Sequence, residues 1–233
     1  GDGTIAPKDN LTRAQMAAII NRAFGAEIAA DISRFTDVPE DAWYRDDIAL
    51  AVNMQTFTGE GNGVMNPEAD ITRQEAFAVL ARALVIETNK SVVSDFSDGG
   101  KISSWAVGDV SALVANGYVN GYPDGTLDPL GNITREEFAQ VMHNIFKTYI
   151  SEEGTVDSVK DGGVIINKPG VTLRDVTVNG DLVLGDGVGK GSVTLENVKI
   201  LGRLLCRGGE DKVTIKDTTT TGGVVVKDVN GVV

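Results

Sequence analysis

The stretch Ile133-Thr-Arg-Glu-Glu-Phe138 has the pattern of a helix start. Thr134 is a favoured N-cap residue, and Glu137, three positions later, completes a capping box. Arg135 then falls at the first helical position, where the positive end of the helix dipole disfavours a cation by about 0.3–1 kcal/mol. A residue in an unfavourable place calls for an explanation if the chain uses it repeatedly.

The chain uses this pattern twice more, in Leu11-Thr-Arg-Ala-Gln15 and Ile71-Thr-Arg-Gln-Glu75. The three arginines are 60 and 62 positions apart (73 − 13 and 135 − 73). A turn sequence with a proline six residues before the arginine precedes each copy, and an apolar face at helical spacing follows it. Each repeat is therefore predicted to be a turn, a cap and an amphipathic helix.

Two repeats also contain an upstream half that begins at a Phe and ends at a Trp, namely residues 35–43 and 96–105. A short helical pattern follows each of these segments. The first repeat lacks this half, so it is predicted to be incomplete. Units of this length cannot bury their apolar faces alone. We therefore predict one all-α domain over residues 1–150, with repeats at about 1–30, 31–90 and 91–150.

A second architecture is predicted over residues 155–233. The segments 171–184, 193–206 and 213–226 align, each with an Asx residue four positions after its start and a glycine nine positions after it. Alternating apolar residues broken by corners about every 20 residues are typical of a parallel β-solenoid, here of three to four rungs. The predicted fold class is thus α+β multidomain. Cys206 is predicted to be a small buried hydrophobe, with a reactive thiol as the alternative.

Composition restricts the classes of function. The net charge of −12 argues against nucleic-acid binding, which depends on Lys and Arg neutralising phosphates. No apolar run is long enough to span a membrane, so no membrane insertion is expected. A single cysteine, Cys206, and a single histidine, His143, exclude an internal disulfide, a histidine-based triad and a Cys/His metal centre. The Asp-rich segments 2–4 and 124–128 lack EF-hand spacing and are predicted to be turns, so we expect no metal or cofactor.

The N-terminal 150 residues resemble the S-layer homology family of bacterial cell-surface anchoring modules. The resemblance rests on the sequences FTDVPEDAW (35–43) and DGTLDP (124–129) and on the recurring Thr-Arg helix start. It implies three tandem modules in a pseudo-threefold helical body. It also implies grooves that bind a secondary cell-wall polysaccharide, commonly one with a pyruvate ketal on an amino sugar. Such a protein would be extracellular, held non-covalently at the bacterial cell wall or S-layer.

The resemblance also implies which residues bind the saccharide. A guanidinium at a helix start can bind a carboxylate bidentately, with the helix dipole adding to the attraction. Carried over by position, the arginines would bind the ketal carboxylate, the tryptophans would form apolar walls, and the glycines would let backbone approach the ligand. These residues are Arg13, Arg73 and Arg135, Trp43 and Trp105, and Gly59 and Gly121. The alternatives are surface ion pairs with local acids such as Glu136 or Asp70, and core packing of the tryptophans.

Three functions compete at this stage. The leading hypothesis is a non-enzymatic anchor, with the solenoid as a spacer or displayed region. The second is an adhesin or S-layer assembly module that self-associates through its solenoid ends or its incomplete first module. The third is a β-helix polysaccharide lyase or hydrolase, which would need suitably placed carboxylates. Asp175 and Asp217 sit at corners and are better explained as turn formers.

Overall fold

Within residues 6–88 and 93–227, which the computed structural model describes, five α-helices precede twelve short β-strands. The helices are α1 (Arg13–Phe24), α2 (Arg45–Asn53), α3 (Arg73–Ala83), α4 (Val107–Ala115) and α5 (Arg135–Ile145). This order confirms the predicted fold class, a helical region followed by a parallel β-solenoid. None of these helices has the length and apolar character needed to cross a membrane.

The contacts divide the chain into two compact units. Unit one comprises residues 1–18 and 31–142, and unit two comprises residues 19–30 and 143–233. The sequence-based limits of the repeats and of the solenoid stay predictions. The turn predicted at residues 2–4 lies outside the described residues. The turn at 124–128 is formed, because Asp124 Oδ1 accepts a hydrogen bond from the Thr126 amide at 3.0 Å.

Unit one is organised around a closed ring of three backbone hydrogen bonds. The amide of Leu11 donates to the carbonyl of Ile133 (2.9 Å), that of Ile133 to Ile71 (3.1 Å), and that of Ile71 back to Leu11 (2.9 Å). All three residues are buried and directly precede the N-cap threonines. Each repeat therefore supplies one donor and one acceptor, which gives the unit the pseudo-threefold arrangement that the family resemblance implies.

All three predicted capping boxes are present. The Glu137 carboxylate accepts the Thr134 amide at 2.8 Å, and the Glu75 carboxylate accepts the Thr72 amide at 2.9 Å. In the first repeat a glutamine takes the place of the acid, and the corresponding bond to Thr12 is longer, at 3.3 Å. This difference agrees with the greater strength of hydrogen bonds to charged acceptors.

Unit two is a parallel β-solenoid of about four turns with three sheets. The sheets have the strand orders β1-β3-β6-β9-β12, β10-β7-β4-β2 and β11-β8-β5. The strands are β1 (Phe146–Ile150), β2 (Gly154–Val156), β3 (Gly163–Ile166), β4 (Val171–Arg174), β5 (Thr177–Val178), β6 (Leu182–Leu184), β7 (Ser192–Glu196), β8 (Lys199–Ile200), β9 (Leu204–Cys206), β10 (Lys212–Lys216), β11 (Thr219–Thr220) and β12 (Val224–Val226).

The rungs stack in the register that the sequence alignment predicts. Val171 pairs with Val193, which pairs with Val213, so their apolar side chains form continuous rows inside the solenoid. The three Asx corners all adopt left-handed backbone conformations, with φ between 47° and 55°, a region that Asn and Asp tolerate better than most residues. They are Asp175, Asn197 and Asp217. This geometry confirms their predicted role as turn formers.

Cys206 lies in the apolar interior of the solenoid, as predicted. Burial raises the pKa of its thiol to about 11. The outer face of the same sheet is also buried, at Ile165, Val183 and Leu205. Within unit two, Phe24 packs edge-on against Phe146, with ring centroids 6.1 Å apart, so the end of α1 takes part in this packing.

Candidate functional site

A cavity of about 440 Å³ in unit one brings together three of the predicted site residues. Arg13, Gly59 and Trp105 all line it, and we call it the Arg13 cavity. Its wall also carries Glu60, Glu75 and Arg82, two acids and a second cation. The cavity therefore combines charged groups of both signs with an indole surface.

Arg13 lies buried in the wall of this cavity, with 6% of its surface exposed. Its Nε donates to the Met65 carbonyl at 2.8 Å, and its Nη1 donates to Glu75 Oε1, also at 2.8 Å. Glu75 is the capping-box acid of the next repeat. The arginine at the helix start thus links two repeats, and its unfavourable position relative to its own helix dipole is offset by two hydrogen bonds.

Arg73 repeats this geometry one module further along the chain. It is equally buried, and its Nε donates to the Leu127 carbonyl at 2.8 Å while Nη1 lies 3.3 Å from Glu137 Oε1. Both arginines therefore form ion pairs, as the alternative predicted, but the guanidinium groups are buried and their partners are capping-box acids of the next repeat, not the local Glu136 or Asp70. Their carboxylate partners lie 62 and 64 positions away, a separation that helical periodicity does not reveal.

Arg135 occupies the equivalent place at the start of α5 and is half-buried. Its backbone amide donates to the Asp9 carbonyl at 3.0 Å. The equivalent bonds run from Arg13 to Ala69 and from Arg73 to Gly131, at 3.0 and 2.8 Å. The three helix starts therefore have the same backbone arrangement.

The two tryptophans are mainly exposed, at 61% for Trp43 and 53% for Trp105, so core packing is wrong for most of each ring. Trp105 is positioned by Ser103, whose amide and hydroxyl both bond to the side chain of the buried Gln74 in α3. Trp105 itself is among the residues that line the Arg13 cavity. Trp43 lies edge-on to Tyr44, with centroids 5.4 Å apart, and is not among the residues that line this cavity.

Gly59 and Gly121 have φ angles of 75° and 68°, the left-handed region that glycine adopts most easily. A Cβ at Gly59 would lie 2.7 Å from the Phe35 ring, and one at Gly121 would lie 2.5 Å from the Phe96 ring. Each glycine is therefore required by the phenylalanine that starts the upstream half of its own repeat. Of the two, Gly59 lines the Arg13 cavity.

Two aspartates that the sequence analysis did not single out hold the loops that bind the arginines. Asp98 accepts the backbone amides of Leu127 and Asp128 at 2.8 and 2.9 Å, and Asp37 does the same for the equivalent loop, at Met65 and Asn66. Burial alone would raise the pKa of Asp98, but these amide bonds outweigh it and lower the pKa. The sequence feature that could have identified both aspartates is their shared position, two residues after the Phe that starts each upstream half.

The surroundings of Arg73 and Arg13 differ at one aligned position. Tyr122 stacks over the Arg73 guanidinium at 4.5 Å and donates its hydroxyl to Glu137. Burial, reinforced by this hydrogen bond, raises the Tyr122 pKa to about 12. Glu60 takes the corresponding place beside Arg13, with Oε1 4.0 Å from Nε. The aromatic ring that covers Arg73 is thus replaced by a carboxylate beside Arg13.

Comparison with known proteins gives consistent matches to the helical region. The family model described as "S-layer homology domain" matches residues 1–17, 34–77 and 95–139. The chain is 34% identical over 143 residues to the "Surface-layer 125 kDa protein" of Lysinibacillus sphaericus, covering 60% of this chain and 12% of that protein.

Two further relatives have names that indicate other functions. A "Cellulosome-anchoring protein" of Acetivibrio thermocellus is 31% identical, with 58% of this chain and 32% of the relative covered. An "Amylopullulanase" of Thermoanaerobacterium thermosulfurigenes is also 31% identical, over 60% of this chain and 8% of the enzyme. The chain thus spans a third or less of the length of each of these relatives.

Proposed function

We propose that this chain, whose residues 1–139 belong to the S-layer homology domain family, anchors its protein by binding a secondary cell-wall polysaccharide. The family and the surface-layer relatives indicate an extracellular, cell-surface location. The same region matches relatives named as enzymes and relatives named as surface or anchoring proteins. This distribution supports an anchoring, non-catalytic role for residues 1–139, with the solenoid as a spacer or displayed region.

The observation that carries the ligand assignment is the meeting of Arg13, Gly59 and Trp105 in one cavity. Nη2 of Arg13 makes no hydrogen bond within the residues that the structure describes, so it remains for a ligand carboxylate. A pyruvate ketal on an amino sugar would supply that carboxylate, and Trp105 would supply an apolar wall for the sugar ring. The volume of about 440 Å³ lies in the range of small-ligand sites.

Arg73 with Gly121, and Arg135 with Trp43, are proposed as the equivalent binding residues of the other modules. The net charge of −12 opposes an anionic polymer at long range. At physiological salt, however, screening limits this repulsion to about 8 Å, so a few buried guanidinium groups can dominate locally. Binding should therefore depend on particular arginines and should persist at high salt, unlike binding by a diffuse positive surface.

The test is binding to purified cell walls before and after removal of the wall polymer, followed by titration with a pyruvylated wall-polymer fragment. Arg13→Lys, Arg73→Ala and Arg135→Ala should weaken binding of the fragment. Arg174→Ala is the matched control for the two alanine variants, because it removes one positive charge from an exposed ion pair in the solenoid. Far-UV circular dichroism checks that each variant is folded. Unchanged affinity in all three groove variants would refute the assignment of the site.

A second proposal is self-association through the solenoid end. Ile215, Val224 and Val226 on the last described strands are at least half exposed, although the residues they pair with on the preceding rung are buried. Among the described residues, no further strand pairs with the outer edges of β10, β11 and β12, and strand edges with apolar side chains favour pairing with another chain. Sedimentation of the wild type and of Val226→Lys should differ if this edge is used, and a monomeric wild type at high concentration would refute it. Self-association through the incomplete first module stays a prediction.

A further inference from the structure

We infer that Glu60 makes the Arg13 cavity selective for a saccharide that carries a free ammonium group close to its carboxylate. This inference rests on the proposed function and specifies the class of sugar that the cavity takes. It goes beyond a general site for anions, because it assigns the acidic side of the cavity a role in recognition. Glu60 would thus be a specificity-determining residue.

The two acids of the cavity, Glu75 and Glu60, differ in their hydrogen-bond partners. Glu75 bonds to Arg13 and to the cap of α3, so its carboxylate has partners on both oxygens. Glu60 has a side chain that is 44% exposed, and only its Oε2 accepts a hydrogen bond, from Asn66. Its Oε1 lies 4.0 Å from Arg13 Nε, which already donates to Met65. Among the described residues, this oxygen therefore has no hydrogen-bond donor.

The cationic side of the same cavity is formed by Arg13 and Arg82. Arg82 is held at the rim by a long hydrogen bond from Nη1 to the Thr56 carbonyl, at 3.4 Å. A ligand carboxylate that binds to Nη2 of Arg13 must enter close to the negative charge of Glu60. An ammonium group on the same ligand would bond to Glu60 Oε1 and replace this repulsion by attraction.

The Arg73 surroundings provide an internal comparison. Glu60 and Tyr122 each follow the left-handed glycine of their loop, so they occupy the same place in the two repeats. The Tyr122 hydroxyl is bonded to Glu137, and its ring covers the guanidinium of Arg73. A ligand at Arg73 therefore meets a phenol at the position where a ligand at Arg13 meets a carboxylate. The preference for an ammonium group is therefore expected at the Arg13 cavity and not at Arg73.

The experiment uses the full chain labelled with 5-fluorotryptophan, because the chain contains two tryptophans and each gives its own ¹⁹F resonance. The Trp105 resonance reports on the Arg13 cavity, and its assignment uses Trp105→Phe. The probes are the methyl glycoside of 4,6-O-(1-carboxyethylidene)-glucosamine with a free amine and its N-acetylated counterpart. Titrations are run at about pH 6, where the amine is protonated.

The wild type should bind the amine probe about tenfold more tightly than the N-acetyl probe, the smaller end of the range for one hydrogen bond between charged groups. Glu60→Gln should abolish this preference. Glu68→Gln, which removes an exposed acid of the same repeat outside the cavity, should retain it. Equal binding of the two probes by the wild type, or a preference that survives in Glu60→Gln, overturns this inference and leaves the anchoring proposal intact. If neither probe shifts the Trp105 resonance, this inference fails, and the anchoring proposal is decided separately by the cell-wall binding test.

Discussion

Replacing Asp98 by alanine should loosen the loop that holds Arg73. The Asp98 carboxylate is buried and accepts two backbone amides, from Leu127 at 2.8 Å and from Asp128 at 2.9 Å. Leu127 is fully buried, and its carbonyl receives the Nε of Arg73. Asp98 therefore positions Leu127, and the Leu127 carbonyl in turn positions the Arg73 guanidinium.

The expected magnitude follows from these two bonds. A hydrogen bond to a charged acceptor contributes about 1.5–3 kcal/mol, so two bonds set an upper range of about 3–6 kcal/mol. Asp128 is exposed, and water can replace the carboxylate at its amide, whereas the amide of Leu127 is buried. Removing a buried charge also recovers part of its desolvation cost. We expect the free energy of unfolding of unit one to fall by about 2–4 kcal/mol.

Urea unfolding followed by tryptophan emission measures this loss, because Trp43 and Trp105 both belong to unit one and the chain has no other tryptophan. Asp124→Ala is the control, since Asp124 lies in the same loop but is exposed and bonds only within its own turn, to Thr126. Its effect should be much smaller than that of Asp98→Ala. A change below about 0.5 kcal/mol for Asp98→Ala would show that other contacts hold the loop.

The Asp98 carboxylate also makes stability depend on pH, because its pKa in the folded state is lowered from the ordinary value of 3.8. Its stabilising effect is complete above pH 3.8 and is lost as the pH falls through the folded-state pKa. The stability difference between wild type and Asp98→Ala should therefore shrink as the pH falls below 3.8, measured by urea unfolding at each pH. In the solenoid, Asp186→Asn should cost about 3–5 kcal/mol, because it removes the carboxylate bound to the fully buried side chain of Arg207. Glu196→Gln breaks an exposed ion pair and should cost about 0–1 kcal/mol. Both costs are measured from the rate at which the Cys206 thiol is labelled when the solenoid opens locally. In the folded wild type, Cys206 should react with iodoacetamide at pH 8 roughly a hundredfold more slowly than a free thiol, since burial raises its pKa to about 11.

The parts of the structure that were predictable from sequence are those that local patterns determine. The Thr-x-x-Glu boxes at Thr72 and Thr134 contain both partners of each cap within four residues, so the helix starts follow directly. The corners at Asp175 and Asn197 follow in the same way, because Asx residues tolerate the left-handed conformation. Repetition then gives the register of the rungs.

The partners of the arginines were not predictable, because they depend on how the repeats close on one another. Arg13 meets Glu75, and Arg73 meets Glu137, only once the ring of helix starts has formed. Their unfavourable position distinguishes these arginines in the sequence, and the family resemblance implies that they bind a ligand. The structure shows that each one links neighbouring repeats, and that Arg13 in addition forms part of the wall of the Arg13 cavity.

The ring formed by Leu11, Ile71 and Ile133 has a consequence for how such a chain can change by duplication or loss of sequence. In this ring each residue accepts a hydrogen bond from one neighbour and donates one to the other. Loss of one repeat would leave a buried amide and a buried carbonyl without partners, and an additional repeat would find no free donor or acceptor in the ring. The solenoid is a linear stack, in which a further rung simply extends the rows already present. Gene rearrangement can therefore add or remove rungs of the solenoid, whereas the ring of helix starts accommodates three repeats.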